Sequence, residues 1–164
     1  MAFEGYLKVD GIPGECTDDK HKDWIEITAY SLGLGQPSSI THSSAGGSAA
    51  GKVRFEDMTF THFLDKASPK LFEACAKGTH IKDATLELCR AGGDKFKYLE
   101  IKLENVLVSS LSSTRDPSGD FDFPTETIVL NYGKMKMTYF KQGEKGAGAG
   151  QVAFGWDQTA NKSM

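Results

Sequence analysis

A mainly β domain, a closed barrel or sandwich with one helix packed alongside, is the fold class that this sequence predicts. Three observations carry it. Apolar and polar residues alternate with period two in segment after segment, the mark of half-buried strands. Only one stretch, around 68–78, places apolar residues at helical spacing between a good start and a good stop. The longest connector, Gly33 to Gly51, reads GLGQPSSITHSSAGGSAAG and has little to bury.

The elements follow in order. A first strand runs from Phe3 to Val9, and a turn at Gly11 to Gly14 follows. Then comes a polar loop with Asp18, Asp19, Lys20, His21 and Lys22, and a second strand begins at Trp24. In it Ile25, Ile27 and Ala29 alternate with Glu26 and Thr28. Val53 and Phe55 begin another strand, which Met58 and Phe60 continue; the switch from odd to even positions across Glu56-Asp57 predicts a bulge. Ser68 is suited to cap the helix, since its hydroxyl can accept from a free backbone N–H. Pro69 fits the first helical position, where no N–H is needed. Leu71, Phe72, Cys75 and Ala76 make one apolar stripe, so Leu71 and Phe72 are both expected to pack against the sheet. Lys77 and Gly78 end the helix with a cation near its negative pole and a residue that accepts positive φ. Ala84, Leu86 and Leu88 mark the returning strand. Leu99, Ile101 and Leu103 mark the next, extended by Val106 to Leu111. Ile128, Leu130 and Tyr132 lead into Met135 to Phe140, and Val152 to Trp156 reads as a last short strand.

With 164 residues the chain suits one domain, residues 1–164, and a chain of this size buries roughly 70% of its unfolded surface. Hydrophobic residues are 39%, charged residues 25%, and the net charge is −3, without long runs of one sign. That balance excludes a polycationic nucleic-acid binder. Nothing approaches the ~20 apolar residues of a membrane span. Glu4, Lys8 and Asp10 interrupt any apolar run a secretory signal would need, so assembly in the cytoplasm is expected, with any export independent of a cleaved signal. Cys16, Cys75 and Cys89 are odd in number, widely spaced and without a CxxC pair, a poor disulfide framework. Cys75 and Cys89 suit buried thiols, and Cys16, in a polar loop, is expected to be the exposed one. Ordering the Gly33 to Gly51 loop costs roughly 1–2 kcal/mol per residue in backbone entropy; it is either mobile or ordered by a neighbouring molecule. Gly143 to Gly150, GEKGAGAG, is a flexible connector.

No motif of catalytic or metal-binding chemistry stands out in the sequence. His21, His42, His62 and His80 form no metal-ligand spacing with one another or with cysteine, and structural or solvated roles are expected. Ala45 to Gly51 lacks the GxxxxGK[ST] pattern of a phosphate loop. Glu15 to Asp23 lacks calcium-loop spacing. There is no GxSxG elbow, and the carboxylates of Asp116 to Asp122 read as a solvated loop. No catalytic residue, cofactor or metal is therefore expected.

The order of the blocks is more telling. AFEGYLKVDGIPGECTDDKHKDWIEI at Ala2 to Ile27 resembles the start of the haemolysin-coregulated protein (Hcp) family, the tube subunits of bacterial type VI secretion. The resemblance continues through GKVRFEDMTFTHFLDKASPKLFEACAKGTHIKDATLELCRAGG at Gly51 to Gly93 and YLEIKLENVLVSSLSS at Tyr98 to Ser113. It ends with TIVLNYGKMKMTY at Thr127 to Tyr139 and FGWDQTANK at Phe154 to Lys162. Asp116 to Pro124 matches least. The resemblance implies a closed β-barrel built from two sheets with a flanking helix, acting as the subunit of a hexameric ring. Rings of this family stack into a tube within a contractile sheath, tipped by a spike protein of the valine-glycine repeat type. The tube is ejected from the cell, and its lumen can hold small effector proteins. On that reading Gly35, Gln36, Pro37, Ser38, Ser39, Ile40, Thr41, His42, Ser43 and Ser44 contact neighbouring subunits or rings. Glu26, Thr28 and Ser31, polar positions of the strand from Trp24 to Leu34, face the lumen.

A second class competes: a monomeric β-sandwich that binds a ligand of carbohydrate type through stacking faces of Trp24, Tyr30 and Trp156. Native mass separates the two, a hexamer for the tube and a monomer for the module.

Overall fold

The computed structural model describes residues 3–39, 49–119, 122–143 and 148–164, as thirteen strands and one helix. Nine strands share one sheet: β1 (Phe3–Val9), β2 (Ile25–Ile27), β3 (Ala29–Ser31), β8 (Met58–Phe63), β9 (Ile81–Arg90), β10 (Lys97–Thr114), β11 (Thr125–Gln142), β12 (Gly148–Asp157) and β13 (Lys162–Ser163). The main path is β13-β12-β11-β10-β9-β1-β2, and β8 pairs with β11 on one side and β3 on the other. β4 (Leu34–Gly35) pairs with β7 (Arg54–Phe55), and β5 (Ser38–Ser39) with β6 (Ala49–Ala50), as two short ribbons. β2 and β3 do not pair with each other, so among the described residues the pairings give one sheet plus two ribbons rather than the expected closed barrel of two sheets.

Every pairing among the described residues is antiparallel, as expected when one face meets the core and the other meets water. Leu7, Ile25, Met58, Phe60, Leu86, Ile101, Leu103, Ile128 and Leu130 meet in one fully enclosed cluster.

The long hairpin of β10 and β11 changes phase halfway. Ile101 and Leu103 are buried on odd positions, Val106 and Val108 on even ones. On β11 the switch runs the other way, from Ile128, Leu130 and Tyr132 to Met135. The ladder omits Asn105 and Gly133 between Glu104↔Lys134 and Val106↔Tyr132. Asn105 takes φ 56, and a Cβ on Gly133 would lie 3.2 Å from the Asn105 Cβ. A left-handed residue facing a side-chain-free one lets both strands kink while their apolar residues stay on the core. Before the kink β11 pairs with β8; beyond it, with β12.

The helix, α1 (Ser68–Lys77), packs across β10. Gly78 ends it at φ 62, with its N–H on Cys75 O at 3.2 Å, as expected of the Lys77-Gly78 signal. Its beginning differs from expectation. The cap position is Ala67, with no side-chain cap bond. Asp65 Oδ1 instead accepts from Ala67 N at 2.9 Å, a local turn that starts the helix one step earlier. Ser68 is buried, and its hydroxyl donates to Glu126 Oε2 at 2.7 Å. Leu71 is fully enclosed as expected, but Phe72 is 44% exposed. Adjacent helical positions point about 100° apart, so the apolar stripe narrows to Leu71, Ala74 and the partly buried Cys75.

Two further expectations change. The bulge at Glu56-Asp57 is a strand break: β7 pairs with β4, β8 with β3 and β11. The single strand from Trp24 is three, because Thr28 directs its N–H to Thr61 O at 2.8 Å and hands the chain from β1 to β8; Ala29 is consequently exposed.

Candidate functional site

The inner face of the β10–β12 sheet outruns its cover. Leu103, Met135 and Trp156 lie in register, then Ile101, Met137 and Phe154, then Leu99, Tyr139 and Val152. All nine are apolar or aromatic on one face. Met135 is 2% exposed and packs in the core, while Met137 is half-buried. Tyr139 is 45% exposed, Phe154 41% and Val152 72%. β13 covers the free edge of β12 only at Trp156 and Asp157. An apolar face that continues from the core into solvent beside an open strand edge is the signature of an interface.

The segment from Leu34 to Phe55 carries the second surface. β4 and β7 pair through Leu34↔Phe55 and Gly35↔Arg54, Gly51 N bonds to Pro37 O at 2.8 Å, and Ser38↔Ala50 and Ser39↔Ala49 continue outward. Gln36 Nε2 donates to Gly51 O. The long loop is therefore a paired arm over its described part. Gly35, Gln36 and Pro37 are exposed on it. Ile40, Thr41, His42, Ser43 and Ser44 lie outside the described residues.

Glu26, Thr28 and Ser31 are all exposed. Glu26 and Thr28 alternate with buried Ile25 and Ile27 and so share the outer face, and Thr28 Oγ1 lies 2.8 Å from Thr61 Oγ1.

Two buried polar clusters escaped the sequence reading. On the outer face of β1 and β9, His21 is 2% exposed, with Nδ1 at 2.7 Å from Asp18 Oδ2 and Nε2 at 2.7 Å from Glu87 Oε2. Its ring stacks on Tyr6 with centroids 4.0 Å apart and meets Trp24 edge-on. Lys95 Nζ reaches Asp18 Oδ1 at 2.6 Å. That hydrogen bond, and after it the one to His21, holds the Asp18 carboxyl down at about 2. Cys16 is buried here rather than exposed: the loop folds back so that Cys16 N bonds to Trp24 O at 3.0 Å, and the thiol joins Tyr6, Cys89 and Trp24. The second cluster lies under α1, where His62 and Glu126 are fully enclosed. His62 Nε2 is 2.9 Å from Glu126 Oε2, an ion-pair distance, although the ring is turned so that no hydrogen bond is aligned. Only pairing across 64 residues of sequence, through the β8–β11 register Glu126↔His62, brings these groups together. His80 is exposed and His42 lies outside the described residues.

The aromatics of the competing module are dispersed. Trp24 packs on His21, Trp156 on Phe55 at 6.5 Å, and Tyr30 on the main core. They share no stacking platform, and that reading finds no support. No helix among the described residues is long and apolar enough to cross a membrane.

A β-rich domain with an uncovered apolar face and a paired arm has the features of proteins that associate through such surfaces. The comparisons make the class specific. The family model "Type VI secretion system effector, Hcp" matches residues 6–139. Protein hcp1 of Pseudomonas aeruginosa is 37% identical over 163 residues, covering 98% of each chain. A structure described as a type six secretion system protein superposes with TM-score 0.92 at 35% identity, over 99% of this chain and 100% of that one. Hcp1 from Salmonella typhimurium superposes with TM-score 0.83 at 34% identity over the full length of both. The chain belongs to the Hcp family of type VI secretion proteins, a family of tube and effector proteins rather than enzymes.

Proposed function

We propose that this chain is a ring-forming tube subunit: hexamers stack into the inner tube of a type VI machine, which sheath contraction ejects. The observation that carries the reading is the uncovered apolar face of Tyr139, Phe154 and Val152, which a second copy would cover. A ring that closes is built from heterologous contacts, so this face meets a different patch of the next subunit. A stable contact of this kind buries more than about 1,000 Å².

On this reading the sheet closes as a barrel; the passage of residues 25–31 from β1, which β2 pairs, to β8, which β3 pairs, supports that closure. Gly35 to Ser44 contact a neighbouring subunit or the next ring. Glu26, Thr28 and Ser31 line the lumen, where a polar wall suits folded effector cargo. The remaining partners are the valine-glycine repeat spike and the contractile sheath. The protein is assembled in the cytoplasm and then secreted, and it works without catalysis.

Native mass spectrometry with negative-stain imaging tests the core of this. A hexameric mass and ring-shaped particles at micromolar concentration are expected. A strictly monomeric mass overturns the ring.

A further inference from the structure

We propose that His21, Glu87 and Cys89 form a binding site for a zinc-class divalent cation on the outer face of β1 and β9. The three offer an imidazole nitrogen, a carboxylate oxygen and a sulfur, all within 4.8 Å of one another. Glu87 and Cys89 are two residues apart on β9 and so project from one face. His21 arrives from the folded-back loop. In a tetrahedral zinc site, bonds of about 2.0–2.3 Å place ligands roughly 3.3–3.8 Å apart. Side-chain rotations would have to open the 2.7 Å His21–Glu87 contact while drawing the Cys89 sulfur in.

The second shell is already built. The Nδ1 of His21 faces Asp18 Oδ2 at 2.7 Å, the carboxylate–histidine arrangement that turns the opposite nitrogen, Nε2, toward a metal. Lys95 in turn holds Asp18 at 2.6 Å, and the stacked Tyr6 ring fixes the imidazole plane. Lys97 sits 3.3 Å from one Glu87 oxygen, Oε1, while the other, Oε2, lies 2.7 Å from His21 Nε2, so a cation would take the place of the hydrogen bond between them. A cavity of about 570 Å³, bordered by Lys20, His21, Glu87, Cys89 and Phe140, gives an entry path and room for a water as fourth ligand.

The donor set selects the metal. Thiolate with imidazole and one carboxylate suits zinc and its spectroscopic substitute cobalt, not magnesium or calcium. The thiol proton would pass to solvent as the metal–sulfur bond forms. The bound ion then ties the polar loop to β9.

Cobalt titration of the full chain, followed by visible absorption, is the test. One Co²⁺ per chain is expected, with the intense bands of a tetrahedral site and a thiolate charge-transfer band. Both should vanish in Cys89→Ala and persist in Cys75→Ala, and Asp18→Asn should weaken binding about 10–100-fold. A pale octahedral spectrum, substoichiometric binding, or bands that survive in Cys89→Ala overturn the site. Should Cys89→Ala not fold, X-ray absorption of the zinc-loaded unaltered protein decides. One sulfur at about 2.3 Å with nitrogen or oxygen near 2.0–2.2 Å supports the site. A shell with no sulfur, or with more than one, refutes it.

Discussion

Leu71 and Phe72 stand next to each other on α1 and have opposite fates, so they show at one turn of helix what packing requires. Leu71 is enclosed on every side, whereas Phe72 keeps 44% of its surface in solvent. Leu71→Ala should therefore cost about 2–5 kcal/mol through lost burial and a residual cavity, and Phe72→Ala about 1 kcal/mol or less. Chemical denaturation of the two variants measures both, and equal losses would mean that the helix is rotated from this orientation. Ser68 makes the complementary point. Its hydroxyl serves a buried carboxylate rather than a free helix N–H, so Ser68→Ala should cost about 1.5–3 kcal/mol, the range for hydrogen bonds to charged groups. A loss near 0.5 kcal/mol would instead match a peripheral cap. The sequence showed the helix and its C-terminal end, because the Lys77-Gly78 signal is local chemistry, but it placed the start one residue late. It could not show Glu126 opposite Ser68, since that partner arrives through the register of β11 on β8.

At the scale of elements, the arm and the open face of β12 separate folding from assembly. Removing 38–50 and joining Pro37 to Gly51 with Asn-Gly would leave β4 on β7 intact, because a two-residue turn of that type matches strand twist. A near-native circular dichroism spectrum is expected, together with loss of tube formation or secretion. A trimmed protein that stacks and secretes like the parent would show the arm to be a passive connector. The strands themselves were legible from period-two alternation, and even the hairpin kink left a trace in the slip from Leu103 to Val106 and from Tyr132 to Met135. The arm was not legible. Gly, Ser and Ala carry no alternation to read, and its described pairs are held by backbone bonds that any side chain permits.

For the whole molecule, apolar alternation identifies a strand face but not what covers that face. Met135 and Tyr139 carry the same pattern, yet one is core and the other is open. Family resemblance supplies the proposed cover, because block order points to a family whereas periodicity points only to strands. If a second copy covers Tyr139, Phe154 and Val152, folding and association are linked. Anything that binds the folded state and not the unfolded one stabilises it by mass action. The unfolding temperature should then rise with protein concentration across the micromolar range. Val152→Asp places a charge on a site that is 72% exposed in the single subunit, where it costs the isolated fold little, but it would be buried unpaired in the ring. The variant should keep its circular dichroism spectrum, sediment as a smaller species, and unfold at a temperature independent of concentration. A variant that still forms rings with the parent's concentration dependence would place the subunit contact on another face of the sheet.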